Sequence, residues 1–429
     1  MIRKPLISGL VISSLLTAAS AGQATFQQLI LSARNDPVIT SQDKETSAIK
    51  KTFSGIPGID DIELRVRNTA FDPNSFRYSL RIQPRGILES RAAGRYNSSI
   101  ITNKKMKRGL LQNIAIYNRY HLFIDLLEQK ALLELYHELL TLYDDRIKVM
   151  EESSYSEDFE LEELVQAEDD RSDEKVFSLE IEKNISVFEQ RARAYLGDNS
   201  FSGFDTSGLV SIETIIARIE SVKFMLDTNN VYLDFYRTEI DLANTRFDLE
   251  KAESRRYINL LNFSYDNGEM YDELLRKYDK KDYNLQKSYS IEIGVRIPNL
   301  TRASHELNSR RADLLKEAEN YEQTKEELSE KVRKDLADLH QLIAQYRYLK
   351  DRESQVDIEA SLKKFVQIDG IDPLVALEIK EDILKNRIRR TSIKYGIMRN
   401  YLYVIDNAGL LSQMPVRNYL SENQEILQW

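Results

Sequence analysis

The sequence predicts a mainly α-helical protein with a small β part, built from two copies of one unit: a strand hairpin followed by a long helical hairpin. Three observations carry this. Residues 287–297 read KSYSIEIGVRI, in which Tyr289, Ile291, Ile293, Val295 and Ile297 alternate with Ser290, Glu292, Gly294 and Arg296. That is the period of a strand with one apolar and one polar face. Pro298 closes it and a long helical run follows. The same order occurs earlier: Phe76, Tyr78, Leu80 and Ile82 alternate with Arg77, Ser79, Arg81 and Gln83, then Pro84, then another long helical run. Finally, glycine and proline number only 15 and 8 in 429 residues, which favours long helices over a loop-rich fold.

The chain opens with the pattern of a secretory signal peptide over residues 1–21. Arg3 and Lys4 form a basic start, 6–16 is an apolar stretch too short to cross a bilayer, and Ala19-Ser20-Ala21 is a small-x-small cleavage site. The alternative is a buried N-terminal helix. No other stretch is apolar enough for a helical membrane span.

Residues 22–208 form the first repeat. Phe26, Leu29, Ile30 and Ala33 share a helical face, which Asn35-Asp36-Pro37 ends because proline disfavours helical backbone at the residue before it. A polar helix follows over 39–52. Ile62, Leu64 and Val66 alternate with Glu63, Arg65 and Arg67, which predicts a strand over 61–70. Asp72-Pro73-Asn74-Ser75 is a turn cluster, so this strand and the one at 76–83 make a hairpin. From 87 to 149 no proline interrupts a helix in which Leu110, Ile114, Tyr117, His121, Ile124, Leu127, Ala131 and Leu135 step by threes and fours. A helix of that length reaches roughly 90 Å and must lie lengthwise against others. A return helix covers 160–196 and stops at Gly197, a C-terminal cap signal.

Residues 209–409 form the second repeat. A helical stretch over 211–254 precedes a weaker strand at 257–265, a charged loop, and the strand at 287–297. A second long helix over 302–365 carries Leu314, Ala318, Tyr321, Lys325, Leu328, Val332, Leu336, Leu339, Ile343 and Tyr346 at near-heptad spacing. A last helix over 373–406 runs to Gly409, and 410–429 is a short tail. The copies align at strands, tips and helix ends: Gly197 and Gly409 lie 212 positions apart, Ile82 and Ile297 lie 215 apart. A duplication seen at several points outweighs any single motif.

The net charge of −9 argues against a nucleic-acid groove, and the absence of cysteine excludes disulfides, thiolate metal sites and a lipidated N-terminal cysteine. His121, His137, His305 and His340 lie far apart on predicted helices, and His137-Glu138 lacks the second histidine of a zinc-protease motif. With no phosphate loop and no nucleophile elbow, the sequence predicts neither an enzyme nor a cofactor.

In its order of motifs the chain resembles the outer-membrane efflux (TolC) family. The resemblance rests on FQQLILSARNDPVI at the start, on the strand-Pro-helix junctions LRIQPRG at 80–86 and VRIPNLTRA at 295–303, and on the tips and return helices FELEELVQAE at 159–168 and GIDPLVALEIK at 370–380. The first tip lacks the family's usual glycine, and Val375 stands where the family usually has an aspartate. The resemblance implies a homotrimer whose helices form a periplasmic tunnel, capped by one shared transmembrane β-barrel in outer-membrane lipid. It also implies a passive conduit for efflux or type I secretion, joined to a periplasmic adaptor and an inner-membrane pump. The alternatives are a periplasmic coiled-coil structural or adaptor protein, and a soluble α+β protein whose hairpins cover a helical core. Adaptors generally carry one helical hairpin between β-rich modules, whereas this chain has two hairpins and few strands.

Two groups of site residues follow. Glu63, Arg65, Arg67, Arg77, Arg81, Glu292 and Arg296 lie on the polar strand faces. In a barrel they line the lumen, where the excess of arginine over glutamate favours anions; the plainer alternative is a solvated face. The run 151–174 holds twelve acidic residues against Arg171. Glu157 and Asp158 at the first tip, with Asp369, Gly370 and Asp372 at the second, would form an acidic ring at a periplasmic entrance. The alternative is a solvated surface.

Overall fold

The computed structural model describes residues 23–52, 58–68, 76–155, 159–221, 230–266, 288–295, 300–355 and 373–429. The signal-peptide region, Arg296, Glu157, Asp158, Asp369, Gly370 and Asp372 lie outside them. The strands among the described residues are β1 (Gln23–Ala24), β2 (Ile59–Asn68), β3 (Phe76–Pro84), β4 (Gly203–Phe204), β5 (Ile258–Asp266) and β6 (Ser288–Val295). The helices are α1 (Phe26–Leu31), α2 (Pro37–Thr52), α3 (Ile87–Glu152), α4 (Leu161–Leu196), α5 (Ile212–Ser221), α6 (Val231–Glu253), α7 (Leu300–Gln355) and α8 (Pro373–Asn407).

The 66 residues of α3 make it roughly 100 Å long. It stands beside α2 near its start and α4 further on, as the pairs Arg108–Asp43 at 2.7 Å and Lys130–Glu189 at 2.7 Å mark. Its other flank meets α6 first and α8 next, through Asn103 Nδ2 donating to Glu239 at 2.8 Å and Arg399 donating to Asp125 at 2.8 Å. The other long helix, α7, packs on the far side of the same α6–α8 pair. Each long helix is therefore matched by two shorter ones, and the helical layer is four helices wide.

Of the stripe expected on α3, Ile124 is buried whereas Ile114 is 40% exposed, and residues outside the stripe, among them Ile116, Tyr120, Phe123, Leu126, Leu139 and Tyr143, are buried as well. A helix with neighbours on several sides has no single buried stripe, so one heptad count undersamples it. On α7, which has one flank covered, the predicted Leu328, Val332, Leu339 and Ile343 are buried as expected.

Beside the middle of the layer, α1, the parallel β1–β4 pair, α5 and the last twenty residues form a compact knot. The expected tail is part of the core. Leu411, Val416, Leu420 and Leu427 are buried, and the Arg218 guanidinium donates to the carbonyls of Tyr419 at 2.9 Å and Ser421 at 2.8 Å. The predicted helix over 211–254 is two helices, α5 and α6. Asn230 starts the second by accepting from the backbone of Tyr232 at 2.9 Å.

The strands β2, β3, β5 and β6 form one antiparallel sheet in the order β2-β3-β5-β6, so the two hairpins join through β3 and β5.

Candidate functional site

The sheet has the properties a membrane-spanning stave needs. At 8 to 10 residues its strands reach roughly 30 Å. Register places residues of one kind in rows across all four strands. Leu64, Leu80, Phe263 and Ile291 form one apolar row, flanked by Ile62, Ile82, Leu261 and Ile293 on one side and Val66, Tyr78, Tyr265 and Tyr289 on the other. Stacking continues across the last row: the rings of Tyr78 and Tyr265 are 6.5 Å apart and those of Tyr265 and Tyr289 are 5.0 Å apart. This places aromatics at the end of the sheet far from the helices, where a barrel's interfacial girdle sits.

Among the described residues, the side chains of the apolar face are exposed. Leu64 is 70% exposed, Ile291 69% and Tyr289 79%. A sheet packed on a helical core would bury these side chains. The outer edges of β2 and β6 pair with no strand among the described residues. Open edges are not tolerated in lipid, so such a sheet has to close with further strands.

The opposite face carries the predicted charges. Glu63 lies opposite Arg81, Arg65 opposite Ser79, and Arg67 opposite Arg77. Arg77 is also next to Asp266 on β5, and Asn262 is next to Glu292 on β6. Arg65 Nε sits 2.7 Å from Glu63 and Arg81 Nη1 is 4.0 Å from it, so two arginines share one carboxylate. Asn262 Nδ2 donates to Glu292 at 3.1 Å. The structure thus brings Glu63, Arg65, Arg67, Arg77, Arg81 and Glu292 onto one face.

Where sheet meets helix, a network absent from the sequence expectations ties the repeats together. Arg256, just before β5, donates to both Glu89 of α3 and Asp60 of β2, and Arg85 donates to Asp60 at 2.8 Å. Glu89 is 2% exposed. Nothing in the sequence singles out Arg256 from the neighbouring Arg255.

At the opposite end, the acidic residues next to the tips remain exposed on α4, and Tyr155 is 98% exposed. Further up, α3 and α8 are cross-linked. Arg146 lies 3.0 Å from Glu381 and 3.2 Å from Glu378, Tyr143 donates to Glu381 at 2.6 Å, and Lys385 is 2.8 Å from it. Burial works to raise the Glu381 carboxyl, but hydrogen bonds from Lys385 and Tyr143 and the nearby cations hold it below its ordinary value. No cluster among the described residues could hold a metal ion, and no described helix is long and apolar enough to cross a membrane.

No protein-family model matches the chain, and no curated protein matches it in sequence. Solved structures do match in fold. The outer-membrane protein VceC of Vibrio cholerae is 13% identical, with a TM-score of 0.65 over 90% of this chain and 96% of its own. CusC, studied for folding and transmembrane channel formation, is 12% identical, with a TM-score of 0.66 over 92% and 95%. The CmeC outer-membrane channel of Campylobacter jejuni is 12% identical, with a TM-score of 0.62 over 95% and 94%. At this identity the likeness establishes the architecture, which is TolC-like along nearly the whole chain.

Proposed function

We propose that this chain is one subunit of an outer-membrane channel that passes substrate from the periplasm to the outside, in efflux or type I secretion. Three copies would close their sheets into one twelve-stranded barrel, with the helical layers forming a tunnel below it. The observation that carries this reading is the sheet: an uncovered apolar face, a charged face and two open edges, on the same chain as a helix of roughly 100 Å. The fold shared with outer-membrane channels supports it.

In this reading Glu63, Arg65, Arg67, Arg77, Arg81, Glu292 and Arg296 line the lumen, and Glu157, Asp158, Asp369, Gly370 and Asp372 ring the entrance. Conduction is passive, with no enzymatic step. Energy comes from an inner-membrane pump reached through an adaptor. An adaptor role for this chain itself is disfavoured, because a periplasmic protein has no use for an open apolar sheet face.

The test is on purified mature protein in detergent, by light scattering and then planar-bilayer conductance. A trimer with discrete conductance, whose anion preference falls in Arg65→Glu/Arg81→Glu, is expected. A monodisperse monomer without conductance overturns the channel.

A further inference from the structure

We propose that the groove between α3 and α6, immediately below the sheet, seats the headgroup of an anionic phospholipid from the periplasmic leaflet. The inference rests on the channel reading, which puts the sheet in a membrane.

The groove has a volume of about 700 Å³ and lies between the first turns of α3 and the last turns of α6. Four cations line it, Arg91, Arg95, Lys251 and Arg255, against one carboxylate, Asp248. Arg95 lies 3.3 Å from Asp248. Arg91, Lys251 and Arg255 have no ion pair among the described residues. Three cations without a carboxylate partner around one hollow give it a positive potential that attracts an anion.

Position selects the kind of anion. Leu88 lines the groove four residues after β3 ends, and Arg255 three residues before β5 begins. Both lie within about one helical turn of the sheet. The upper lip is apolar and open: Ile87 is 74% exposed, Leu88 59% and Tyr257 63%. Apolar lip above and cations below is the order of a bilayer's acyl-headgroup boundary. A second, smaller hollow continues down the same groove, lined by Ser98, Thr102, Thr238 and Thr245 with Asp241. Its hydroxyls can donate to phosphate or accept from glycerol.

The groove faces outward. Arg91, Arg95, Ser98 and Thr102 step along α3 by threes and fours toward Ile116, Tyr120 and Phe123, which pack under the compact knot. Tyr120 hydroxyl accepts from the Tyr419 backbone at 2.9 Å. Three copies of that knot inside a tunnel would plug it, so it marks the outer face. The groove is enclosed by two helices of one chain, leaving it open in a closed trimer.

The experiment titrates purified protein in detergent with short-chain phosphatidylglycerol, phosphatidylcholine or inorganic phosphate, reading binding by native mass spectrometry. Phosphatidylglycerol is expected to bind at least tenfold more tightly than phosphatidylcholine. Arg91→Gln/Lys251→Gln should remove about tenfold of that affinity, while Arg311→Gln/Lys316→Gln on α7, with the same charge loss, should not. Equal binding of the two lipids, or selectivity surviving in the groove variant, overturns the site. Inorganic phosphate displacing the lipid at millimolar concentration would make it a free-anion site and overturn the lipid assignment. Conductance of the same preparations is measured in parallel. A conducting protein without lipid selectivity fails the groove alone, whereas a protein that neither inserts nor conducts fails the channel and the groove with it.

Discussion

The two repeats meet their return helices in the same way and stabilise the meeting in opposite ways. At the first junction α4 ends at Gly197 near α1 and the 32–35 turn that leads into α2, and a cation is buried. Arg119 is 1% exposed and donates to Asp36 at 3.1 Å, to Ser32 Oγ at 3.0 Å and to the Ala115 carbonyl at 3.0 Å. Its guanidinium lies 4.1 Å from the Tyr195 ring. At the second junction α8 ends at Gly409 next to the start of α6, and an anion is buried. Asp406 accepts from Asn113 at 2.5 Å and from Tyr232 at 3.1 Å, both neutral. The first buried charge is compensated by another charge and the second is not. The two joints share a left-handed glycine and differ in the sign of the charge they bury.

The sharpest break in this comparison is Arg119→Met. It keeps the bulk and removes the charge, leaving Asp36 buried beside an apolar chain. Breaking a buried pair from one side costs about 3–5 kcal/mol. The expected result is a large drop in the apparent melting temperature of the detergent-solubilised protein, followed by fluorescence. A drop of only a degree or two would mean that Asp36, which also accepts from the Val38 backbone at 3.1 Å, is satisfied without the arginine.

The glycines give the next contrast. Both adopt the left-handed conformation, with φ of +67° at Gly197 and +73° at Gly409, so a side chain at either costs about 1 kcal/mol in backbone strain. At Gly197 a Cβ would meet nothing within 4 Å, whereas at Gly409 it would lie 2.9 Å from the Asn230 Cα and the Val231 nitrogen. Gly197→Ala should therefore cost about 1 kcal/mol. Gly409→Ala should cost about 2–4 kcal/mol, since overpacking against backbone adds to the strain. Equal losses in urea unfolding would show that the second junction can open to admit a methyl group.

The backbone of these joints was legible in the sequence and their side-chain chemistry was not. Two glycines 212 positions apart mark the helix ends, because a left-handed cap has few substitutes. Strand period located three of the four long strands clearly and the one at 257–265 more weakly, with Pro84 and Pro298 closing two of them, because alternation encodes which face is wet. The charged face followed from the same period, whereas the joining of the two hairpins through β3 and β5, and the register there, did not. The start of α6 at Asn230 was missed because Asn230 acts as a cap only once its neighbours fold around it. Arg119 and Asp406 were missed for a related reason. Nothing local separates a buried arginine from the many exposed ones on helices this charged, and burial arises from three elements meeting. The twenty-residue tail carried too little periodicity to announce that it packs on α5.

The smallest effect has the opposite sign. Burial raises the Asp406 carboxyl to about 6, with hydrogen bonds from Tyr232 and Asn113 only partly opposing it and Asp335 on α7 adding to the rise. Below about pH 4 the carboxyl is protonated in both folded and unfolded chains and carries no penalty. As pH rises towards 6 the unfolded chain ionises first, so the folded state loses stability, by about 3 kcal/mol once both are ionised. Asp406→Asn removes that titration. Its new amide also finds an acceptor, since Asn113 Oδ1 is buried without a partner at this position. The variant should match the parent near pH 4 and exceed it by about 1–3 kcal/mol at pH 8, read as melting temperature against pH. A variant that matches the parent near pH 4 but is weaker than it at pH 8 would show that the ionised carboxylate, held by Tyr232 and Asn113, is what fixes α8 to α3 and α6. The second junction would then be as charge-dependent as the first.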